Sequence, residues 1–168
     1  RPNVGHPSFV RGLRLLQTLE KHEGCVNTVA WNEDASLLLS GSDDLCVCVW
    51  NAASTGFPCR GSVYTGHVHN IFSAEFVPGS GSARCVTTAG DGDVRLVDLE
   101  RGLRHPRFQQ RRSILFHNPA DEESTASRSL LVAGGLAGDD HIGGGRGMGM
   151  KVRFLPGSES VFLTAHQD

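Results

Sequence analysis

Between His22 and Asn51 the chain alternates apolar and polar positions in three short runs. Val26, Val29 and Trp31 form the first, closed by the polar break Asn32-Glu33-Asp34. Leu37-Leu38-Leu39 opens the second, which runs into the turn Ser40-Gly41-Ser42-Asp43-Asp44. The third is Val47-Cys48-Val49-Trp50. Runs of this length, bounded by turn residues, predict three short antiparallel strands. The pattern returns between Gly66 and Asp98, with strands expected over Ile71–Phe76, Cys85–Ala89 and Val94–Leu99. Cys59 to Thr65 supplies a fourth, outer strand to the first unit. The loosely alternating stretch Leu13 to Leu19 is expected to be the outer strand of a preceding unit.

The recurrence extends to single residues. His22 precedes Asp44 by 22 positions and His67 precedes Asp91 by 24, while Asp44 to Trp50 and Asp91 to Val97 are both six. A third, partial copy closes the chain, where Phe154-Leu155-Pro156-Gly157-Ser158 matches Phe76-Val77-Pro78-Gly79-Ser80 and Asp168 falls where Asp44 and Asp91 fall. Four residues before each Asp stand Ser40, Thr87 and Thr164; two before stand Ser42, Ala89 and His166. Only the first set always carries a hydroxyl. A histidine, a hydroxyl, a carboxylate and an indole can then form one buried hydrogen-bonded chain that satisfies the polar atoms of an apolar unit. The expected members are His22, Ser40, Asp44 and Trp50 in the first copy, His67, Thr87 and Asp91 in the second, and Thr164 and Asp168 in the third. By spacing, the third histidine would stand at Gly145; His141 lies four positions early. Because Val97 replaces the indole, loss of Asp91 is expected to cost less than loss of Asp44.

Such units, with a period of 45 to 47 residues, resemble WD repeats, whose period is about 40–45. The fold class implied is all-β, a WD-repeat β-propeller of which this chain holds about two and a half blades. A closed propeller takes about 4–8 blades, so the chain is expected to be part of a longer protein. Residues 1–12 read as a connecting segment, 13–100 as blades one and two, 101–150 as a largely disordered insertion, and 151–168 as the start of a third blade. Within the insertion, Ile114-Leu115-Phe116 and Leu130-Leu131-Val132 are two candidates for an outer strand. Two blades and part of a third would leave a blade face bare at each end.

Charge adds little, since the net value is −2 and 39% of residues are hydrophobic. Arg101 to Arg112 holds five arginines and no acid. Arg104, Arg107, Arg111 and Arg112 could grip phosphate or an acidic partner, against the plainer reading of a solvated connection. The glycine-rich Gly134–Gly149 matches neither phosphate-loop nor dinucleotide spacing and reads as a linker. No cofactor or metal is implied; Cys46 and Cys48 read as small buried hydrophobes. Five cysteines without framework spacing suit a reducing compartment, nuclear and/or cytoplasmic. No apolar run approaches the length of a membrane helix. A hydrolase reading of His, Ser and Asp fails, because Ser40 sits in a Leu-rich strand and the triplet recurs at blade spacing, whereas catalysis needs one exposed copy. What remains is a surface for protein partners, for which Asp43, His69 and Asp93 are candidate contacts.

The wording is more particular than the repeat. The stretches SFVRGLRLLQTLEKHEGCVNTVAWN, LLLSGSDDLCVCVWN and TGHVHNIFSAEFVP resemble the opening blades of cullin-RING ligase substrate receptors. These are the proteins related to nuclear receptor interaction protein and to the WD-and-tetratricopeptide-repeat family. The resemblance covers residues 8–99 and resumes at 151–168. It implies docking on a damaged-DNA-binding adaptor and its cullin, and presentation of substrates for ubiquitin transfer. It also implies a Trp-Asp-x-Arg element at the end of a blade's third strand. Trp50-Asn51-Ala52-Ala53 lacks the arginine, and Val97-Asp98-Leu99-Glu100 lacks the tryptophan and carries Glu in the arginine's place. Alternatives are a WD-repeat scaffold unrelated to ubiquitin, or a nucleic-acid binder acting through the Arg- and Gly-rich segments.

Overall fold

The computed structural model describes residues 11–104, 114–116, 130–134, 147–158 and 160–167. The first blade is a four-stranded antiparallel sheet of β1 (Val26–Trp31), β2 (Leu37–Ser42), β3 (Cys46–Asn51) and β4 (Cys59–Tyr64), in chain order. The second repeats it with β5 (Ile71–Phe76), β6 (Arg84–Ala89), β7 (Val94–Asp98) and β8 (Ile114–Phe116). The third contains β10 (Met148–Phe154) and β11 (Val161–Gln167), with β9 (Leu130–Gly134) paired antiparallel to the outer side of β11. Of the two candidate outer strands, 114–116 therefore joins blade two and 130–134 joins blade three. Residues 101–150, expected as a largely disordered insertion, contribute to four elements.

Each first strand is interrupted at the same place. The register slips between Val26 and Thr28 in β1, between Ile71 and Ser73 in β5, and between Gly149 and Lys151 in β10. One extra residue is thereby left unpaired in each (Asn27, Phe72, Met150), and the strand twists more sharply at that point.

The blades stack through two apolar layers. Leu39, Val47 and Val49 of blade one meet Ile71, Ala74, Phe76 and Cys85 of blade two. The opposite side of blade two, with Val86, Val94 and Leu96, meets Val152 and Phe162 of blade three. Close approach depends on paired sizes. A Cβ on Gly41 would lie 2.9 Å from the Ile71 side chain, and a Cβ on Gly149 would lie 3.0 Å from that of Thr88. Gly41 and Thr88 are equivalent positions in their blades, as are Ile71 and Gly149. Small meets large at both seams, with the roles exchanged. Gly149, read from sequence as part of a linker, is thus a buried position of β10.

Two expectations are corrected. Leu13–Leu19 forms no strand; Leu13, Leu15 and Leu16 are largely exposed, because a strand needs a neighbour to hydrogen-bond and none of the described strands pairs with this stretch. The third strand of blade two ends at Asp98 rather than Leu99, and helix α1 (Leu99–Arg104) follows. Asp98 Oδ1 accepts the Arg101 amide at 2.8 Å, which is an N-cap bond, and Glu100 and Arg104 stand at the ends that suit the helix dipole. The helix lies against β4 of the first blade. A Cβ on Gly102 would sit 2.4 Å from Val63 Cγ1, and one on Gly61 would sit 2.6 Å from Leu103 Cδ2.

Candidate functional site

In blade one the entry turn, β2, the β2–β3 turn and β3 each deliver one polar side chain to the same line. His22 Nδ1 lies 2.8 Å from Asp44 Oδ2, and His22 Nε2 lies 2.8 Å from Ser40 Oγ. Trp50 Nε1 donates to Ser40 Oγ at 2.9 Å. An indole can only donate and a carboxylate only accept, which orients the whole chain. Ser40 takes the indole proton and gives its own to Nε2, while Nδ1–H goes to Asp44. Asp44 also accepts the amides of Glu23 and Cys46, each at 3.0 Å. Burial raises its pKa, but the bond from His22 and those two amides outweigh burial and hold the carboxyl below its usual value. Ser42, the alternative hydroxyl, instead accepts the Asp44 amide at 3.3 Å. Ser40 is only 4% exposed and its hydroxyl is shared between two partners, so it offers no nucleophile to a substrate.

The family model "WD domain, G-beta repeat" matches residues 13–51, which contain this network. The chain is built of WD repeats. It is similar to Protein ALTERED SEED GERMINATION 2 of Arabidopsis thaliana, 48% identical over 96 residues, covering 57% of this chain and 12% of that protein. Human DDB1- and CUL4-associated factor 6 is 37% identical over 98 residues, or 58% of this chain and 11% of that one. Human WD and tetratricopeptide repeats protein 1 is 43% identical over 91 residues, or 54% and 13%. These relatives match the receptor branch that the sequence resembles, at modest identity. The aligned stretch spans roughly an eighth of the relatives' own lengths.

The second WD repeat builds the same network without its indole. His67 Nδ1 lies 3.0 Å from both oxygens of Asp91, and Nε2 lies 2.8 Å from Thr87 Oγ1. Asp91 also accepts the amides of Val68 and Asp93, at 3.0 and 3.1 Å. Burial again opposes ionisation, and the His67 bond and charge with the two amides overcome it, bringing Asp91 to about 2. His67, Asp91 and Asp93 are also close enough to suggest a metal cluster. Their atoms are engaged otherwise: His67 Nδ1 with Asp91, and Asp93 Oδ2 with Arg95 Nη2 at 2.9 Å. In the third repeat Thr164 meets His166 of its own strand, at 3.2 Å. Asp168, Gly145 and His141 lie outside the described residues.

The candidate contacts divide. Asp43 Oδ1 accepts Asn27 Nδ2 at 2.6 Å, and that same nitrogen donates to the Ile71 carbonyl at 3.0 Å. Asp43 therefore helps tie blade one to blade two. His69 is exposed, and Asp93 carries the ion pair with Arg95. Arg104 is exposed and lies 3.8 Å from Glu100 on α1, an arrangement of little energetic weight. Arg107, Arg111 and Arg112 lie outside the described residues. What the sequence reading missed is the set of polar ties between blades. Asn32 Nδ2 donates to Ser82 Oγ at 3.0 Å, Glu33 accepts the Gly79 amide at 3.0 Å, and Glu75 binds Arg153 and the Phe154 amide. Their only sequence signal is polarity at the edge of an apolar run.

The WD repeats form a protein-interaction scaffold, a class that is generally non-catalytic. Its two faces carry the β2–β3-type turns at one end and the β1–β2-type turns at the other.

Proposed function

We propose that this chain belongs to a substrate receptor of a cullin-RING ubiquitin ligase, acting in the nucleus and/or cytoplasm. The observation that carries the reading is its similarity, over 98 residues, to a protein whose name associates it with DDB1 and CUL4. The described geometry agrees with a presenting role rather than a chemical one, because the repeated His, hydroxyl and Asp groups are spent on internal hydrogen bonds. Cys25, Cys46, Cys48, Cys59 and Cys85 are all free thiols, which suits a reducing compartment. Burial, the largest influence on Cys48, pushes its thiol up to about 12, so it stays protonated. Among the described residues no helix is long and apolar enough to cross a membrane.

The test is affinity purification of the full-length protein from cells, probed for the damaged-DNA-binding adaptor and the cullin. Both are expected to co-purify and to persist after nuclease treatment. A purified complex that lacks both, while other protein partners are retained, would leave a WD-repeat scaffold unrelated to ubiquitin.

A further inference from the structure

A cleft of about 630 Å³ opens between the first two blades, at the end that bears the β1–β2 and β5–β6 turns. Its frame is held before any ligand arrives. Asn32 accepts the Leu37 amide at 2.8 Å and donates to the Ser36 and Ser82 hydroxyls at 3.1 and 3.0 Å, so one side chain fixes both turns. Glu33 adds a second tie through the Gly79 amide. Leu37, Phe76 and Phe154 supply apolar lining.

The charges in the cleft are unequal. Among the described residues, Glu33, Asp34 and Glu75 line it against a single cation, Arg60. Glu75 is paired with Arg153, whereas Glu33 and Asp34 are bonded to neutral groups, the Gly79 and Ser36 amides. The bonds from Ser36 hold Asp34 below the usual carboxylate range. Beside these two acids stands Trp31, 53% exposed, its ring edge-on to Phe57 with centroids 6.5 Å apart. Carboxylates next to an exposed indole, above an apolar lining, form a receptor for a cationic side chain with an aliphatic neighbour.

We propose that this cleft binds a basic peptide segment of a partner protein, with an arginine or lysine against Trp31, Glu33 and Asp34 and an apolar residue against Leu37 and Phe76. The proposal stands apart from the ligase reading, since it rests on the cleft alone.

The probe is a fluorescein-labelled nonapeptide of alternating arginine and leucine, added to the 168-residue chain and followed by anisotropy. Intrinsic fluorescence supplies a second signal on the unlabelled peptide. The chain has two tryptophans, and Trp50 is 4% exposed, so a change in emission reports Trp31. Saturable binding is expected, with an emission shift that W31F abolishes. The double variant E33Q/D34N keeps the acceptors for Gly79 and Ser36 and should leave the melting temperature in place. It should weaken binding about fivefold or more. Undiminished affinity in E33Q/D34N, an unmoved Trp31 emission, or equal binding of a peptide with glutamate in place of arginine would each overturn the proposal.

Discussion

Blades one and two place the same atoms around their histidines and then part at the third strand. In each, the carboxylate accepts the imidazole and two amides, one just after the histidine and one two residues beyond the Asp. Blade one continues through Ser40 to the Trp50 indole. Blade two stops at Thr87, whose hydroxyl lies 2.8 Å from His67 and 3.5 Å from the Arg95 carbonyl. Its single proton has two acceptors, the nearer being the better one. The missing donor is balanced by depth. Side-chain exposure falls from 4% and 17% for His22 and Asp44 to 0% and 7% for His67 and Asp91. The sequence reading ranked Asp91 as the less costly loss because it counted donors. Burial argues for the opposite order, since a stranded polar group costs more the less water can reach it.

The largest way to disturb the comparison lies at the seams. Gly149→Ile in blade three would force a side chain against Thr88 and the Ala89 backbone. Overpacking of this kind costs about 1–3 kcal/mol and occasionally more. Adding Thr88→Gly recreates the Gly41–Ile71 pairing at the other seam and should recover much of the loss, as read from urea melts. No recovery would mean that the paired sizes are coincidence.

Next come the carboxylates. Asp91→Ala and Asp44→Ala should each cost about 1–3 kcal/mol, the former more. Calorimetry on the two variants checks the order. If Asp44→Ala is the more damaging, donor count outweighs burial after all. Acid offers a gentler probe of the same pair. Asp91 falls from 3.8 to about 2 on folding, so its contribution is complete above the unfolded value and is lost as pH falls through the folded one. That amounts to about 2 kcal/mol, disappearing between roughly pH 4 and pH 2. In a pH series of melts, Asp91→Ala should flatten this part of the wild-type curve. A slope as steep as in the wild type would assign the acid sensitivity elsewhere. The smallest effect belongs to Trp50→Phe, which keeps most of the buried ring and removes one N–H. A loss of about 1 kcal/mol is expected, and a melting temperature equal to that of the wild type would show the indole bond to be idle.

How far the sequence could be read follows from the range of each interaction. The histidine, hydroxyl, carboxylate and indole of blade one are joined across turns of fixed length, so spacing alone brought them into line. Ser40 was separable from Ser42 because three copies could be aligned. Leu13–Leu19 misled because alternation predicts a strand only where an edge exists to receive it. Helix α1 was hidden, since its last four residues lie inside an arginine-rich run and its reason, a close seat on Gly61 and Val63, is some forty positions away. Gly149 misled for the same cause: in a glycine-rich tract nothing local marks a glycine that a neighbouring blade requires. Asn27, Asn32, Glu33 and Glu75 tie blades together, and no pattern within a single blade announces that.

The slipped register in every first strand separates what must stay constant from what is free to change. Asn27, Phe72 and Met150 occupy the one position per first strand that the pairing to the second strand skips. Three unlike side chains, an amide, an aromatic ring and a thioether, are therefore carried on identical frames without cost to the pairing around them. Each copy thus owns a position at which its own strand pairing is indifferent to the side chain, and blade one spends that freedom on Asn27, which reaches the Ile71 carbonyl of the next blade.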